Sequence, residues 1–257
     1  MAAMSLLVAY SAVLLLLVCM DCFLIGSYQK NRRMEEEQLL NDYADRVGSD
    51  MEEINSTFYD VFNNNRYFSA LTGTLTEMKQ YDNEYELDYS LRNRISLEEW
   101  MHGYVAYYNA GRNVRYHMDT PKVGNEDSPR IRQMAAERMQ PNVSGWQWVF
   151  LETEEHLYCL LFGKKRNASL CMVYNLEQAG QDLPREKGEL FYLYGGRILG
   201  DTAYGDMQQE LAEEPDGSQS SFRGYMDGSY LYARRIENTE LWLCMAVPVT
   251  LFTYMNI

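Results

Sequence analysis

Hydrophobic residues form one continuous run at the start of the chain. The run Met4–Ile25, MSLLVAYSAVLLLLVCMDCFLI, holds a single charged side chain, Asp21, and is long enough to cross a bilayer as a helix. No basic residue precedes the run and no small-residue cleavage site follows it, so an uncleaved anchor fits better than a cleaved signal peptide. We therefore predict a membrane anchor over residues 1–29.

A second pattern, with apolar residues three or four positions apart, follows the anchor. This spacing places them on one stripe of a helix over residues 34–62 that continues the membrane span. The stripe favours a helix packed on its own domain, with a dimerising coiled coil as the alternative. Its members are Leu40, Tyr43, Val47, Met51, Ile54, Phe58 and Val61.

Two shorter helical segments complete a stem and helical region over residues 30–100. The segment YFSALTGTLTEMKQ, residues 67–80, is predicted to be helical, although Gly73 weakens it. In the segment after it, Leu87, Leu91 and Ile95 recur on a single face, which also indicates a helix.

From Gly103 onward the apolar pattern changes to one typical of strands. GYVAYYNAGRNVRYH predicts two strands joined by a turn, and DSPRIRQMAAERMQ predicts a helix that Asp127 or Ser128 opens. Three strands follow in GWQWVFLE, HLYCLLFG and ASLCMVYNL. The segment 101–187 is thus predicted to contain two strands, a helix and three strands.

The same order of elements recurs over residues 188–248. ELFYLYGGRILGD predicts a hairpin that turns at two glycines, TAYGDMQQELAEE predicts a helix, and SFRGYMDGSYLYARRI predicts a hairpin that turns at Asp-Gly. ELWLCMAVP follows as a last strand. The predicted fold class is α+β, with a transmembrane helix and a long stem helix followed by two tandem units of antiparallel sheet.

This arrangement resembles the double Cache extracellular sensor domain, a relative of the PAS fold. The resemblance covers residues 30–250 and is carried by GYVAYYN, ASLCMVYNLEQ, LFYLYGGRIL and YLYARRIENTELWLCMAVPVTLF. It implies two PAS-like units, membrane-distal over 101–187 and membrane-proximal over 188–248, outside the cytoplasmic membrane of a bacterium. It also implies that residues 249–257 begin a second span leading to a histidine kinase, chemoreceptor or transcription regulator.

The charge of the chain bears on its partners and its orientation. A net formal charge of −14 repels nucleic acid, so we expect no nucleic-acid partner. Lys30, Arg32 and Arg33 follow the apolar run and no basic residue precedes it, and the positive-inside rule then places the bulk of the chain in the cytoplasm. The resemblance implies the opposite. We follow the resemblance and expect a cell-membrane protein with its bulk outside the cytoplasm.

No pattern typical of a catalytic or metal site occurs in the sequence. His102, His117 and His156 are isolated from one another, and there is no Gly-x-Ser-x-Gly motif, phosphate-binding glycine loop or His-x-x-Glu-His spacing. We interpret each histidine as a strand-end or turn residue. We expect no enzyme activity, no cofactor and no bound metal.

The segment HLYCLLFGKKRNASLCMVYNLEQ, residues 156–178, carries a cysteine in each of two predicted strands. With a three-residue loop over Lys164 to Arg166, Cys159 lies directly opposite Cys171, within the range of a disulfide. The two side chains are therefore a candidate disulfide, although two reduced, buried thiols fit the apolar surroundings better.

Aromatic and basic side chains are concentrated in the distal unit. Trp and Tyr rings stack on sugars or apolar groups, and an Arg pairs with a carboxylate, although each aromatic residue fits a core position as well. Amino-acid sensors of the double Cache family carry an Arg closely followed by Trp-Tyr, and Arg94 and Trp100 are too far apart to supply that motif. The residues predicted to line a ligand pocket are Trp148, Tyr107, Arg115, Trp146 and Tyr158.

The function expected from these observations is small-molecule sensing by the extracytoplasmic module of a membrane signalling protein. A sensor histidine kinase is the favoured output, with its output domain absent from this chain. Alternatives are a stand-alone membrane-anchored binding or assembly protein, the input domain of a membrane-bound transcription regulator and, more remotely, an extracytoplasmic hydrolase. Expected partners are a small-molecule ligand or a solute-binding protein, the membrane, and a second copy contacting through the stem helix.

Overall fold

One helix connects the apolar N-terminal run to the rest of the protein. The computed structural model describes residues 2–108, 111–138, 145–153, 156–178, 188–199, 220–226 and 228–248. Helix α1 runs without interruption over Ala2–Tyr59 and ends in a π-helical turn, Asp60–Asn64. The prediction that the stem helix continues the apolar run is therefore confirmed. By length and composition, α1 is able to cross a membrane.

Two helices follow, and the structure corrects one predicted boundary. Helix α2 is Arg66–Leu71 and α3 is Glu77–Leu97, so the single helix predicted over residues 67–80 is wrong. Asn65 begins α2 by accepting hydrogen bonds from the backbone of its first turn through its side chain. The break holds Gly73 and three threonines, which are poor helix formers, and Thr76 is already extended.

Two five-stranded antiparallel sheets and one further helix, α4, Asp127–Arg138, follow in the described chain. The distal strands are β1 Gly103–Tyr108, β2 Asn113–Met118, β3 Gly145–Glu152, β4 Leu157–Lys165 and β5 Ala168–Asn175. The proximal strands are β6 Glu189–Tyr194, β7 Arg197–Leu199, β8 Ser221–Met226, β9 Ser229–Arg235 and β10 Leu241–Pro248. The distal sheet has the order β2-β1-β5-β4-β3, and α4 lies between β2 and β3 in the sequence. The proximal sheet has the corresponding order β7-β6-β10-β9-β8.

The predicted hairpins of the proximal sheet are present. Gly195 and Gly196 both have positive φ between β6 and β7, the backbone conformation that a two-residue hairpin turn requires. Gly228 also has positive φ at the turn between β8 and β9. The predicted helix at residues 202–214 and the predicted start of a second span at 249–257 lie outside the described residues.

The apolar stripe of α1 forms the centre of the main core. All seven predicted stripe residues are buried, and one continuous cluster joins them to side chains of both sheets. Gly163 on β4 lets the helix approach the sheet closely, because a β-carbon there would stand 2.8 Å from the ring of Phe58. The stem helix therefore packs on its own domain, as the first of the two interpretations predicted. We call the surface of the distal sheet that meets α1 the stem face.

A buried hydrogen-bonded junction joins the stem helix to both units. The Tyr43 hydroxyl donates to the carbonyl of Leu176 at 3.1 Å, and the Tyr192 hydroxyl of β6 donates to the same oxygen at 3.3 Å. The two hydroxyl oxygens are 3.2 Å apart. Burial raises the pKa of Tyr43 to about 12, so its hydroxyl stays protonated as a donor. The stem, the end of the distal unit and the first proximal strand thus meet at one carbonyl.

The cysteine pairing in the 156–178 hairpin is wrong. Strand β4 continues through Lys165, so the turn is the two residues Arg166 and Asn167, and Arg166 has positive φ. This turn shifts the register by three positions and pairs Cys159 with Tyr174 and Cys171 with Phe162. An odd shift changes faces, so Cys159 lies on the stem face and Cys171 on the opposite face. Both are free thiols, and burial raises their pKa values.

His102 is a buried histidine next to the start of β1. Its Nδ1 accepts a hydrogen bond from the backbone N–H of Asn175 at 2.8 Å, which leaves Nε2 to donate to the carbonyl of Glu99 at 3.0 Å. Its ring also packs on Tyr174. Burial, with a smaller contribution from the charge of Lys122, lowers the pKa of His102 to about 4.

The stability of the full chain should therefore fall as the pH falls from about 6.5 towards 4. In this window the unfolded state takes up a proton on His102 that the folded state does not, which costs about 2 kcal/mol at pH 5 relative to pH 7.5. Urea unfolding of the detergent-solubilised chain at both pH values measures the loss. His102→Asn should lower the stability at pH 7.5 and remove most of this pH dependence. Equal pH dependence in the two proteins would contradict the prediction.

Candidate functional site

The surface of the distal sheet opposite the stem face is covered by helix α4, and we call it the α4 face. Ile131 and Ala135 of α4 pack there on apolar side chains of the three inner strands β1, β5 and β4. This core is separate from the one around the stem helix. The α4 face also carries two groups of polar side chains, which we describe in turn.

The first polar group surrounds Asp127 at the start of α4. One oxygen of this buried carboxylate, Oδ2, accepts a hydrogen bond from the Tyr158 hydroxyl at 2.8 Å and lies 2.9 Å from Nδ1 of His156. Since the carboxylate only accepts, Nδ1 of His156 carries the proton. The Tyr158 hydroxyl in turn accepts from the backbone N–H of Gly124 at 3.2 Å. Burial and the bond to Asp127 raise the pKa of Tyr158 well above its usual value.

The second polar group lies further along α4, where two buried polar atoms lack partners. Nε of Arg132 and the hydroxyl oxygen of Ser169 have no hydrogen-bond partner within the described part of the chain. The guanidinium of Arg132 stacks 4.5 Å from the ring centre of Tyr116, and the Tyr107 hydroxyl donates to the backbone carbonyl of Arg132 at 2.9 Å. Ser169 pairs with Tyr107 across β1 and β5.

These features suit recognition of a small molecule. A buried polar group without a partner costs roughly 1–3 kcal/mol, so Arg132 and Ser169 offer a donor and a hydroxyl to a bound molecule at little extra cost. The guanidinium suits an anionic group such as a carboxylate, and Tyr107 and Tyr116 supply aromatic surface. Among the described residues no cluster of His, Cys, Asp and Glu could hold a metal ion.

The five residues predicted to line one pocket lie on two different faces. Tyr107 and Tyr158 are on the α4 face, and Tyr158 belongs to the Asp127 group. Trp148 packs against the core on the stem face. The prediction that Trp148, Tyr107 and Arg115 line a single pocket is therefore wrong, because the sheet separates Tyr107 from the other two. Side chains of adjacent strand positions alternate between faces, and the sequence did not show which face the stem helix covers.

The other two predicted residues have structural contacts on the stem side. Trp146, 41% exposed, packs edge-on against the rings of Phe58, Tyr59 and Phe62. Arg115 pairs with the buried carboxylate of Glu84 on α3, with Nε 3.3 Å from Oε2. The Trp146 contacts fix the end of the stem helix against the distal sheet, and the Arg115 ion pair fixes α3 against it.

Four polar residues of the two groups, and the ring of Tyr116 that stacks on Arg132, were not predicted as site residues. Asp127 was interpreted as a helix start and His156 as a strand-end residue, which is also where each lies. Their hydrogen bond joins positions 29 residues apart, and no local pattern indicates it. Arg132 and Ser169 have ordinary helix and strand surroundings in the sequence. Their only distinguishing property is a buried, unpaired polar atom, which requires the tertiary structure.

Comparisons with known proteins identify the fold. No protein-family model matches the chain, and no curated protein matches it. The extracellular domain of rpHK1S-Z16, described as a histidine kinase, shares 14% identity and superposes with a TM-score of 0.52, covering 86% of this chain and 95% of that one. The corresponding domain of vpHK1S-Z8 shares 12% identity with a TM-score of 0.50, covering 86% and 96%.

A chemoreceptor is among the similar structures as well. The sensory domain of Tlp3 from Campylobacter jejuni shares 12% identity, with a TM-score of 0.48 and coverage of 89% of this chain and 97% of that one. At such identities the two histidine-kinase domains show the fold and no more. The chain has the α+β fold of double Cache-like extracellular sensor domains, as the resemblance implied.

The Tyr158 hydroxyl should contribute measurably to the stability of the α4 face. Tyr158→Phe removes a donor to Asp127 and leaves the Gly124 N–H without its acceptor, so the free energy of unfolding should fall by about 2 kcal/mol. The matched control is Tyr81→Phe, because Tyr81 is 60% exposed on α3. Urea unfolding of both variants at neutral pH tests this, and equal stability of the two would contradict the proposed hydrogen bonds.

Proposed function

We propose that this chain is a membrane-anchored, extracytoplasmic sensor module that binds a small molecule on the α4 face of its distal unit. The double Cache-like fold supports the sensor role. The exposed apolar stretch of α1 supports the anchor: Leu14 to Val18 are each at least 52% exposed, and no other part of the described protein covers them.

The observation that carries this proposal is the pair of unpaired polar atoms on the α4 face. Nε of Arg132 and Oγ of Ser169 are both shielded from solvent. Proteins rarely leave such groups unpaired unless a ligand, water or another group completes them. The positive charge of Arg132 makes the favoured ligand a small organic anion, such as a carboxylate, with an apolar part that contacts the tyrosines.

A path from this site to the membrane runs through shared contacts. Tyr107 and Ser169 lie on β1 and β5, and β5 leads directly to Leu176 at the Tyr43 junction. A ligand that draws α4 towards the sheet would act on β5 and, through Leu176, on the stem helix and β6. Within this proposal the stem helix carries the signal, and a histidine kinase remains the favoured output.

A dimer that forms through the stem helix belongs to the same proposal. The apolar stripe of α1 is already buried in its own core, so a dimer through the stem helix would use the opposite, exposed side.

The stand-alone binding protein and the transcription-regulator input remain the alternative functions. A coding sequence that continues past Ile257 into a second span and a kinase would favour the sensor kinase over both.

A ligand screen with a matched pair of variants tests the proposal. The detergent-solubilised full chain is screened by thermal shift against small organic anions, and a subset should raise its melting temperature. Arg132→Gln should abolish that rise while lowering the ligand-free melting temperature only slightly, since Nε makes no hydrogen bond to lose and the stacking on Tyr116 is worth about 0.5–1 kcal/mol. Arg112→Gln removes an exposed arginine of the same unit and should leave the rise unchanged.

Three results would contradict the proposal. The first is binding that Arg132→Gln leaves intact, and the second is binding that both arginine variants lose equally. The third is turnover of the bound anion, which would favour an enzyme instead. Each is measured on the same purified chain, so a folding defect in the variant is detected from its ligand-free melting curve.

A further inference from the structure

A cleft lies beside the stem helix just above the apolar stretch of α1. Its volume is about 340 Å³, and it is formed between one side of α1 and the edge strand β8 of the proximal sheet. Its polar lining consists of Gln29, Lys30, Arg33, Glu37 and Arg223. Three of these side chains are cationic and one is anionic, so the cleft is locally positive although the chain as a whole carries −14.

The proximal sheet holds one side of this cleft in place through contacts with α1. Arg33 stacks over the ring of Tyr230, 4.3 Å from its centre, and hydrogen-bonds its hydroxyl. Arg223 forms an ion pair with Glu37. Two of the three cations are therefore held by protein contacts.

Lys30 is the third cation, and it differs from Arg33 and Arg223 in its contacts. It is exposed and makes no hydrogen bond or ion pair with any described residue. Lys30 precedes Arg33 and Glu37 along α1, so it is the cation of the cleft that lies nearest the apolar run. A strongly hydrated ammonium group with no protein partner is available to an external anion.

The Lys30 end of the cleft matches the headgroup layer of a membrane, and Arg33 stands just above that layer. With the apolar run ending at Ile25 and a rise of 1.5 Å per residue, Lys30 stands about 8 Å and Arg33 about 12 Å above the hydrocarbon edge. The headgroup layer is roughly 5–8 Å thick on each side of a bilayer. Tyr28, half exposed beside the cleft, is a residue type enriched at that interface.

The hairpin of β8 and β9 points towards the same layer. Every second residue of β9 contacts α1, and these contacts come progressively closer to the apolar run: Arg234 contacts Asp45, Tyr232 contacts Glu36 and Tyr230 contacts Arg33. Tyr225, which pairs with Tyr230 on the edge strand, is 63% exposed. The tip of the hairpin therefore lies close to the level of Lys30.

We propose that this cleft binds the phosphate headgroup of an anionic phospholipid from the membrane that α1 enters. Lys30 contacts the phosphate directly, Arg33 and Arg223 add positive potential, and the acyl chains lie along the apolar stretch of α1. The proposal rests on the membrane anchor of the proposed function. It also gives Lys30 and Arg33, two of the three basic residues that follow the span, a role on the outer surface, where the positive-inside rule does not expect them.

Lipid selectivity of the full chain tests this site. The chain is purified in a non-ionic detergent, mixed with equal amounts of phosphatidylglycerol and phosphatidylcholine, and the retained lipids are counted by native mass spectrometry. The wild-type chain should retain phosphatidylglycerol preferentially. Lys30→Gln should lower that preference about fivefold, the effect expected of one cation close to an anionic headgroup.

Two further variants make the test independent of general folding defects. Lys79→Gln removes an exposed lysine of α3 far along the chain and should change nothing. Glu37→Gln removes the anion of the cleft and frees Arg223, so it should raise the preference, which a misfolded protein would not do. An excess of soluble glycerol phosphate should not displace the lipid, because it lacks acyl chains.

The outcomes separate this proposal from the anchor on which it rests. Equal retention of the two lipids, an unchanged preference in Lys30→Gln, or full displacement by glycerol phosphate would each overturn the headgroup site. Extraction of the chain from membranes by alkaline carbonate would overturn the anchor, and the headgroup site with it. A chain that resists carbonate and loses preference only in Lys30→Gln supports both.

Discussion

Burial of the α1 stripe beneath both sheets is the interaction on which the rest of the structure depends. The seven stripe residues occupy one continuous core with strands of the distal and the proximal sheet. Burying side chains of this size stabilises by roughly 10–20 kcal/mol in total before conformational entropy is subtracted. The stripe packs on apolar side chains of both sheets, so the two units and the helix share one core.

In the proposed function, this shared core is the connection between the α4 face and the end of α1 that enters the membrane. The α4 face has its own core, separated from the stem by a single layer of strands, and β4 and β5 are apolar on both faces. Side chains of these two strands therefore belong to both cores, which is the route that the proposed function uses. Hydrogen bonds join the stem helix, the distal unit and the proximal unit at one junction, formed by Tyr43, Leu176 and Tyr192.

The sequence predicted the elements well because their signals are local. Apolar spacing located the stem helix, the start signal at Asp127 or Ser128 located α4, and the glycine turns located the hairpins of the proximal sheet. The failures are non-local. The turn between β4 and β5 is one residue shorter than predicted, so Cys171 lies on the face of the sheet opposite that of Cys159. The hydrogen bond between Asp127 and His156 depends on how α4 packs on the sheet. Likewise, Arg132 becomes a candidate only once its buried Nε is seen to be unpaired.

Native-state hydrogen exchange of the full chain tests the shared core most directly. If α1 is the centre of one body, the amides of residues 40–58 should exchange only through the same global opening as those of β5 and β10, with equal free energies. The account would be contradicted if the stem amides exchanged through a smaller opening while the amides of both sheets stayed protected. The sheets would then be stable without the helix.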